Sequence, residues 1–141
     1  MSIPTSLRLE FVTPDRALAQ EHVDEVELPG ETGYFGVLPG HAPLLTALQP
    51  GEMWYRRGNE KFYAFLAGGF AEVVPDRVSI LAQVAERAED IDIGRAEAAK
   101  HKAEADLAGR PTTDIDFEKA RIALVRAIAR LEIARRQRPR G

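Results

Sequence analysis

No cysteine occurs anywhere in the chain. That removes disulfides and thiolate metal sites, and a reducing compartment is compatible with it. No run of about 18 apolar residues is present, so nothing reads as a bilayer-spanning helix. The opening Met1-Ser2-Ile3-Pro4-Thr5 has neither a charged n-region nor an apolar h-region. It does not read as a secretion signal, and the expected location is cytoplasmic. A G-x-x-x-x-G-K-[ST] phosphate loop is missing, so nucleotide hydrolysis by the chain itself is not expected. Basic excess is lacking as well. A formal charge of −3, from 19 basic and 22 acidic residues, argues against general nucleic-acid binding.

What remains is an ordinary globular composition, 45% hydrophobic and 29% charged over 141 residues, enough for one domain or two small ones. The charge is divided unevenly. Before Gln83 there are six basic residues against eleven acidic ones, a net of −5; from Gln83 onward thirteen stand against eleven, a net of +2. The hydrophobic period changes at the same place, which suggests a boundary near residues 83–88. The expected division is a strand-built domain over 1–85 and a helical one over 86–141.

In the first half Leu7, Leu9 and Phe11 alternate with Arg8, Glu10 and Val12, and Thr13-Pro14-Asp15 marks a turn. Val23 to Leu28 reads as one strand, ended by Pro29-Gly30. Met53 to Arg57 and Lys61 to Leu66 flank Gly58-Asn59, a tight hairpin turn. Gly68-Gly69 breaks the next run before Phe70 to Val74, and Arg77 to Ala82 is the last strand. Short strands at this spacing predict an antiparallel β-sandwich or flattened barrel. Between the strands, Gly33 to Leu45 carries three glycines and two prolines interleaved with Tyr34, Phe35, Val37 and Leu38. A linker would be polar; this stretch is apolar between its turn residues and should be a folded loop lying on the sheet. His41 follows Pro39-Gly40 with no Ser or Cys nucleophile and no orienting Asp beside it. Its bottom-up reading is a turn residue bonded to backbone rather than a catalytic base.

From Asp90 the pattern is helical. Asp90 or Asp92 can cap a first helix whose Ala96, Ala99, Ala103 and Leu107 share a face, ended by Gly109 and Pro111. Thr112, Thr113 or Asp114 can cap a second, with Phe117, Ala120, Leu124, Ala127, Ile128, Leu131 and Ala134 on one face. The short connection predicts an antiparallel hairpin. Some eight alanines at ~0.8 kcal/mol each contribute roughly 6 kcal/mol before chain entropy is subtracted. The hairpin is therefore expected to be marginal, able to open or dock elsewhere.

The loop pattern G-x-x-G-x-x-P-G-H-x-P-L-L, followed by L-x-P-G at Leu48 to Gly51, resembles the epsilon subunits of the rotary, proton-driven ATP synthase. Ile91-Asp92-Ile93-Gly94-Arg95-Ala96 is similar to the I/L-D-x-x-R-A motif of those that bind ATP, and Arg126-Ala127-Ile128-Ala129-Arg130-Leu131 to their R-A-x-x-R-L stretch. The resemblance covers nearly the whole chain. It implies a non-catalytic subunit of the central stalk, peripheral on the cytoplasmic face of the cell inner membrane. The sandwich would bind the gamma subunit and the c-ring, with Pro39, Gly40 and His41 as contact residues. The hairpin would brake ATP hydrolysis, its basic end approaching the alpha/beta catalytic head. No cofactor is obligatory, and ATP is the regulatory ligand implied. Asp92 would face the adenine amino group, Ile91, Arg95 and Ala96 would surround the base, and Glu86 would be an upstream acid. Arg126 and Arg130 would approach the phosphates. Where the family often carries arginine, seven residues after Arg95, this chain has Lys102, which keeps the charge and loses the planar fork. Read from residues alone, Asp92 is equally a helix cap, and Arg126 and Arg130 equally a solvated face. The alternative functional class is a free-standing ATP- or anion-binding module; a small enzyme using His41 lacks partner residues at recognisable spacing.

Overall fold

The computed structural model describes residues 3–109 and 113–137. The chain divides into two compact units, Met1–Arg87 and Ala88–Gly141. The first is a β-sandwich of eight strands: β1 Leu7–Val12, β2 Ala17–Val23, β3 Glu25–Gly30, β4 Gly33–Val37, β5 Leu44–Ala47, β6 Gly51–Arg57, β7 Glu60–Val74 and β8 Arg77–Arg87. They run β2-β1-β8-β7-β6-β3-β4, with β5 added beside β7. All pairings are antiparallel except β1 with β8, which is parallel. Leu7, Leu9 and Phe11 point inward as their alternation requires, meeting Val26, Leu28, Met53, Leu66 and Ile80 in the core.

Four features depart from the sequence expectation. Val23 to Leu28 is not one strand but the end of β2 and most of β3, broken at Asp24. The Asp24 carboxylate accepts the Gly58 amide at 2.7 Å, so the break is tied to the β6–β7 turn. Strand β2 itself was unforeseen. The loop over 33–45 contains strand β4 and the start of β5, joined by the Pro39–Gly40 turn. Gly68 and Gly69 do not end a strand: β7 is 15 residues long and passes through them. Both have positive φ, +76° and +110°, and there the strand bends. Its first half pairs with β6 and its second with β5, while β8 lies along both.

The second unit starts with a single 3₁₀ turn, Ala88–Asp90, followed by α1 Ile93–Ala108 and α2 Asp114–Gln137. The Asp92 carboxylate accepts the Arg95 amide at 3.1 Å, and Gly109 closes α1. Thr113 caps α2, its hydroxyl accepting the Asp116 amide at 3.0 Å. Thr112, another predicted cap, lies outside the described residues. Ala96 and Ala103 of α1 are buried, as are Ala120, Ala127, Leu131 and Ala134 of α2. Phe117 and Ile128, expected on the buried face, are 46% and 38% exposed, and Ile133 is buried instead.

Candidate functional surfaces

The turn between β4 and β5 brings Pro39, Gly40 and His41 together. Gly40 needs its glycine, with φ at +89°. Its amide donates to the Pro75 carbonyl at 2.7 Å, and the His41 amide donates to the Leu38 carbonyl at 3.1 Å. The His41 Nδ1 lies 2.6 Å from the Ala42 carbonyl oxygen, so the ring is engaged with its own backbone. That agrees with the turn reading of this histidine. Leu38 and Leu44 flank the turn with 54% and 39% of their surface open, and Ile3 lies against Gly40. The tip of this unit is thus apolar, shaped by a tight turn and open to solvent.

A second surface on the sandwich was not foreseen. Leu45, Phe70 and Leu81 are 71%, 58% and 55% exposed. With Val12, Glu10 and Glu72 they line an open groove of about 310 Å³. Pairing assembles it: Phe70 stands opposite Leu81, Leu45 opposite Glu72, and Val12 opposite Leu81. Arg8 pairs with Glu10 and Arg77 with Glu72, each at 3.1 Å, so both acids on the rim are neutralised. An apolar floor with a paired-charge rim is suited to a protein partner rather than a small ion.

In the helical unit, Ile91, Asp92, Arg95 and Ala96 cluster at the start of α1. Ile91 and Ala96 are buried. Asp92 and Arg95 are exposed, with carboxylate and guanidinium 3.9 Å apart. Arg126 and Arg130 stand one turn apart on α2, the first exposed and the second half-buried. Glu86 is in β8 opposite Phe65, hence in the other unit. The cap is thus a present fact for Asp92, whatever else its carboxylate does.

α2 also carries a second apolar side. Ile115, Ile122 and Val125 are 69%, 42% and 56% exposed, and recur at heptad-like spacing away from the buried alanines. Between them Glu118 and Arg121 form a forked pair, at 3.2 and 2.9 Å. The hydrogen bonds from Arg121 hold the Glu118 carboxyl below its usual range, and Glu118 raises Arg121 in turn. This side was readable from the heptad spacing, but the stronger alanine seam masks it. Among the described residues no group of three or more His, Cys, Asp or Glu could hold a metal, and no helix is long and apolar enough to cross a membrane.

Comparison with known proteins matches both units. Residues 6–88 fit the family described as ATP synthase, Delta/Epsilon chain, beta-sandwich domain, and residues 89–135 its long alpha-helix domain. The chain is 48% identical over 128 residues to the ATP synthase epsilon chain of Nitratidesulfovibrio vulgaris (strain DP4), covering 91% of this chain and 95% of that one. It is 46% identical over 134 residues to the epsilon chain of Herpetosiphon aurantiacus, covering 95% and 98%. Among solved structures it is similar to a chain of the Euglena gracilis mitochondrial ATP synthase, OSCP/F1/c-ring in rotational state 1. The TM-score there is 0.70 at 25% identity, over 96% of this chain and 81% of that one. A chain of the Tetrahymena thermophila central stalk/c-ring assembly shares the fold, with a TM-score of 0.55 at 12% identity.

Proposed function

This chain belongs to the delta/epsilon chain family of ATP synthase, and we propose that it is the non-catalytic epsilon subunit of the central stalk, which couples proton translocation to ATP synthesis and restrains ATP hydrolysis through its helices. The sandwich is the attachment module. Its exposed groove at Leu45, Phe70 and Leu81 suits the gamma subunit, and the Pro39-Gly40-His41 turn with Leu38 and Leu44 suits the c-ring. Through those partners the chain sits peripherally at the cytoplasmic face of the cell inner membrane.

The observation that carries the regulatory part is the two-sidedness of α2. One side closes the hairpin, and the other, at Ile115, Ile122 and Val125, stays open to solvent. A helix with two apolar sides and a small-residue seam can exchange one packing for another at modest cost. Released from α1, it can lay both sides against new neighbours and carry Arg135 and Arg136 toward the alpha/beta head. The run at Arg138 and Arg140, which adds to that basic end, lies outside the described residues.

ATP is the proposed ligand of the closed form, with Asp92 and Arg95 at the base and Arg126 and Arg130 toward the phosphates. At a hundred times its dissociation constant it would stabilise that form by about 2.7 kcal/mol, comparable to the difference between two packings of a weak hairpin.

The test is a truncation after Arg87, which keeps all of β8. Cutting after Ala85 would instead remove Glu86 and Arg87, the partners of Phe65 and Ala64. The shortened chain should still co-purify with gamma, and the assembled complex should hydrolyse ATP faster. Unchanged hydrolysis would dismiss the brake. Failure of the full chain to associate with gamma would favour a free-standing ATP- or anion-binding module.

A further inference from the structure

The seam between α1 and α2 is built from small side chains: Ala96 and Ala103 face Ala120, Ala127 and Ala134, none more than 6% exposed. Such side chains remove little area from water, and the seam leaves little margin over chain entropy. An ion pair spans the two helices beside it. Arg135 Nη2 lies 3.5 Å from Glu97 Oε1, with the side chains 63% and 51% exposed.

Its position matters more than its strength. Glu97 is in the second turn of α1 and Arg135 in the last turn of α2. The helices are joined near Gly109, so the pair closes the opposite, open end of the hairpin. Separation that starts at the open end must break it. Arg135 also stands in the last turn of its helix, where the dipole favours a base. Two further pairs each lie within a single helix: Lys102 with Asp106 at 3.6 Å, and Arg121 with Glu118 at 2.9 Å. They stiffen a helix without tying it to its neighbour.

We propose that Glu97 and Arg135 are an electrostatic latch that sets the fraction of molecules with a closed hairpin. Its regulatory consequence rests on the function proposed above; the latch itself does not. A half-exposed pair is weak and screened by salt. That suits a reversible device, because a small contribution keeps the closed and open states close in free energy.

The absence of cysteine makes the experiment direct. Ala98→Cys and Ala123→Cys in the full chain accept two spin labels, whose separation distribution reports closed and open hairpins. Glu97→Arg and Arg135→Glu should each lower the closed-to-open ratio by about two- to fivefold, and the swapped double variant should recover most of the loss. About 0.5 M salt should lower the ratio in the labelled parent and leave Glu97→Gln unmoved. A double variant that merely sums the two single losses overturns the latch, and so does a parent ratio indifferent to salt. The same variants assembled into the complex separate the two ideas. A rescued distance distribution with constant ATP hydrolysis keeps the latch and removes the brake.

Discussion

The backbone amide of Glu52 donates to the Tyr34 hydroxyl oxygen at 3.2 Å, joining β6 to β4 across the intervening β3. Gly51 makes room for this contact, since a methyl group there would lie 2.6 Å from the same hydroxyl. Tyr34→Phe should remove the bond and lower stability by about 1 kcal/mol, read as a shift in urea midpoint with an unchanged slope. No shift would mean that water replaces the hydroxyl without loss.

Gly69 is the least replaceable glycine of the sandwich. Its φ is +110°, and an added methyl would overlap the Leu81 carbonyl oxygen and lie 2.8 Å from Ala82 Cα. Gly69→Ala should cost about 3 kcal/mol. Gly36→Ala, with nothing within 4 Å of the added carbon, should change stability by less than about 0.5 kcal/mol. Similar losses at the two positions would refute the close approach of β7 and β8.

Asp92 lets a cap be separated from a ligand contact. Asp92→Ala should lose about 1 kcal/mol of helix stability together with any ATP binding. Asp92→Ser keeps a capping oxygen but is too short to reach a base. Calorimetric titration of Asp92→Ser should show ATP binding weakened at least about tenfold, with helicity by circular dichroism retained. Full-strength binding in Asp92→Ser would assign the residue to the cap alone.

Phe70 and Leu81 face each other on the groove floor and are more than half exposed. Phe70→Asp should therefore leave the unfolding free energy of the isolated chain nearly unaltered, within about 0.5 kcal/mol. Affinity for a gamma-bearing partner should fall at least about tenfold, measured by surface plasmon resonance. Undiminished binding would move the attachment surface elsewhere on the sandwich.

Local chemistry was legible in the sequence; what non-local pairing assembles was not. The Leu7-Leu9-Phe11 alternation, the Gly58-Asn59 turn, the tight turn at Pro39-Gly40 and the Asp92 cap are each written within a few residues. Strand β2 was hidden by an irregularity. Phe11 pairs with Ala19 and Val12 with Ala17, so Leu18 is an extra residue in the ladder. Leu18 and Ala19 are then both buried, which erases the two-residue period that announces a strand. Gly68-Gly69 looked like a stop because two glycines usually end a strand, whereas the neighbouring β8 holds the backbone through the bend. The groove draws on β1, β5, β7 and β8, and no window of sequence contains it. Phe117 fits the phase of the α2 seam yet stays exposed in the first turn after the Thr113 cap.

The unbroken run of β7 bears on how a rotating shaft would load this subunit. The tip turn is hydrogen-bonded at Gly40 to Pro75, immediately beyond the end of β7, and β5 is laced to the second half of that strand. Force entering at the tip therefore reaches β6 along one covalent chain and its ladders, with no loop in series to take up slack. A stiff crank of this kind would pass torque between its neighbours with little elastic lag, leaving compliance to the helices.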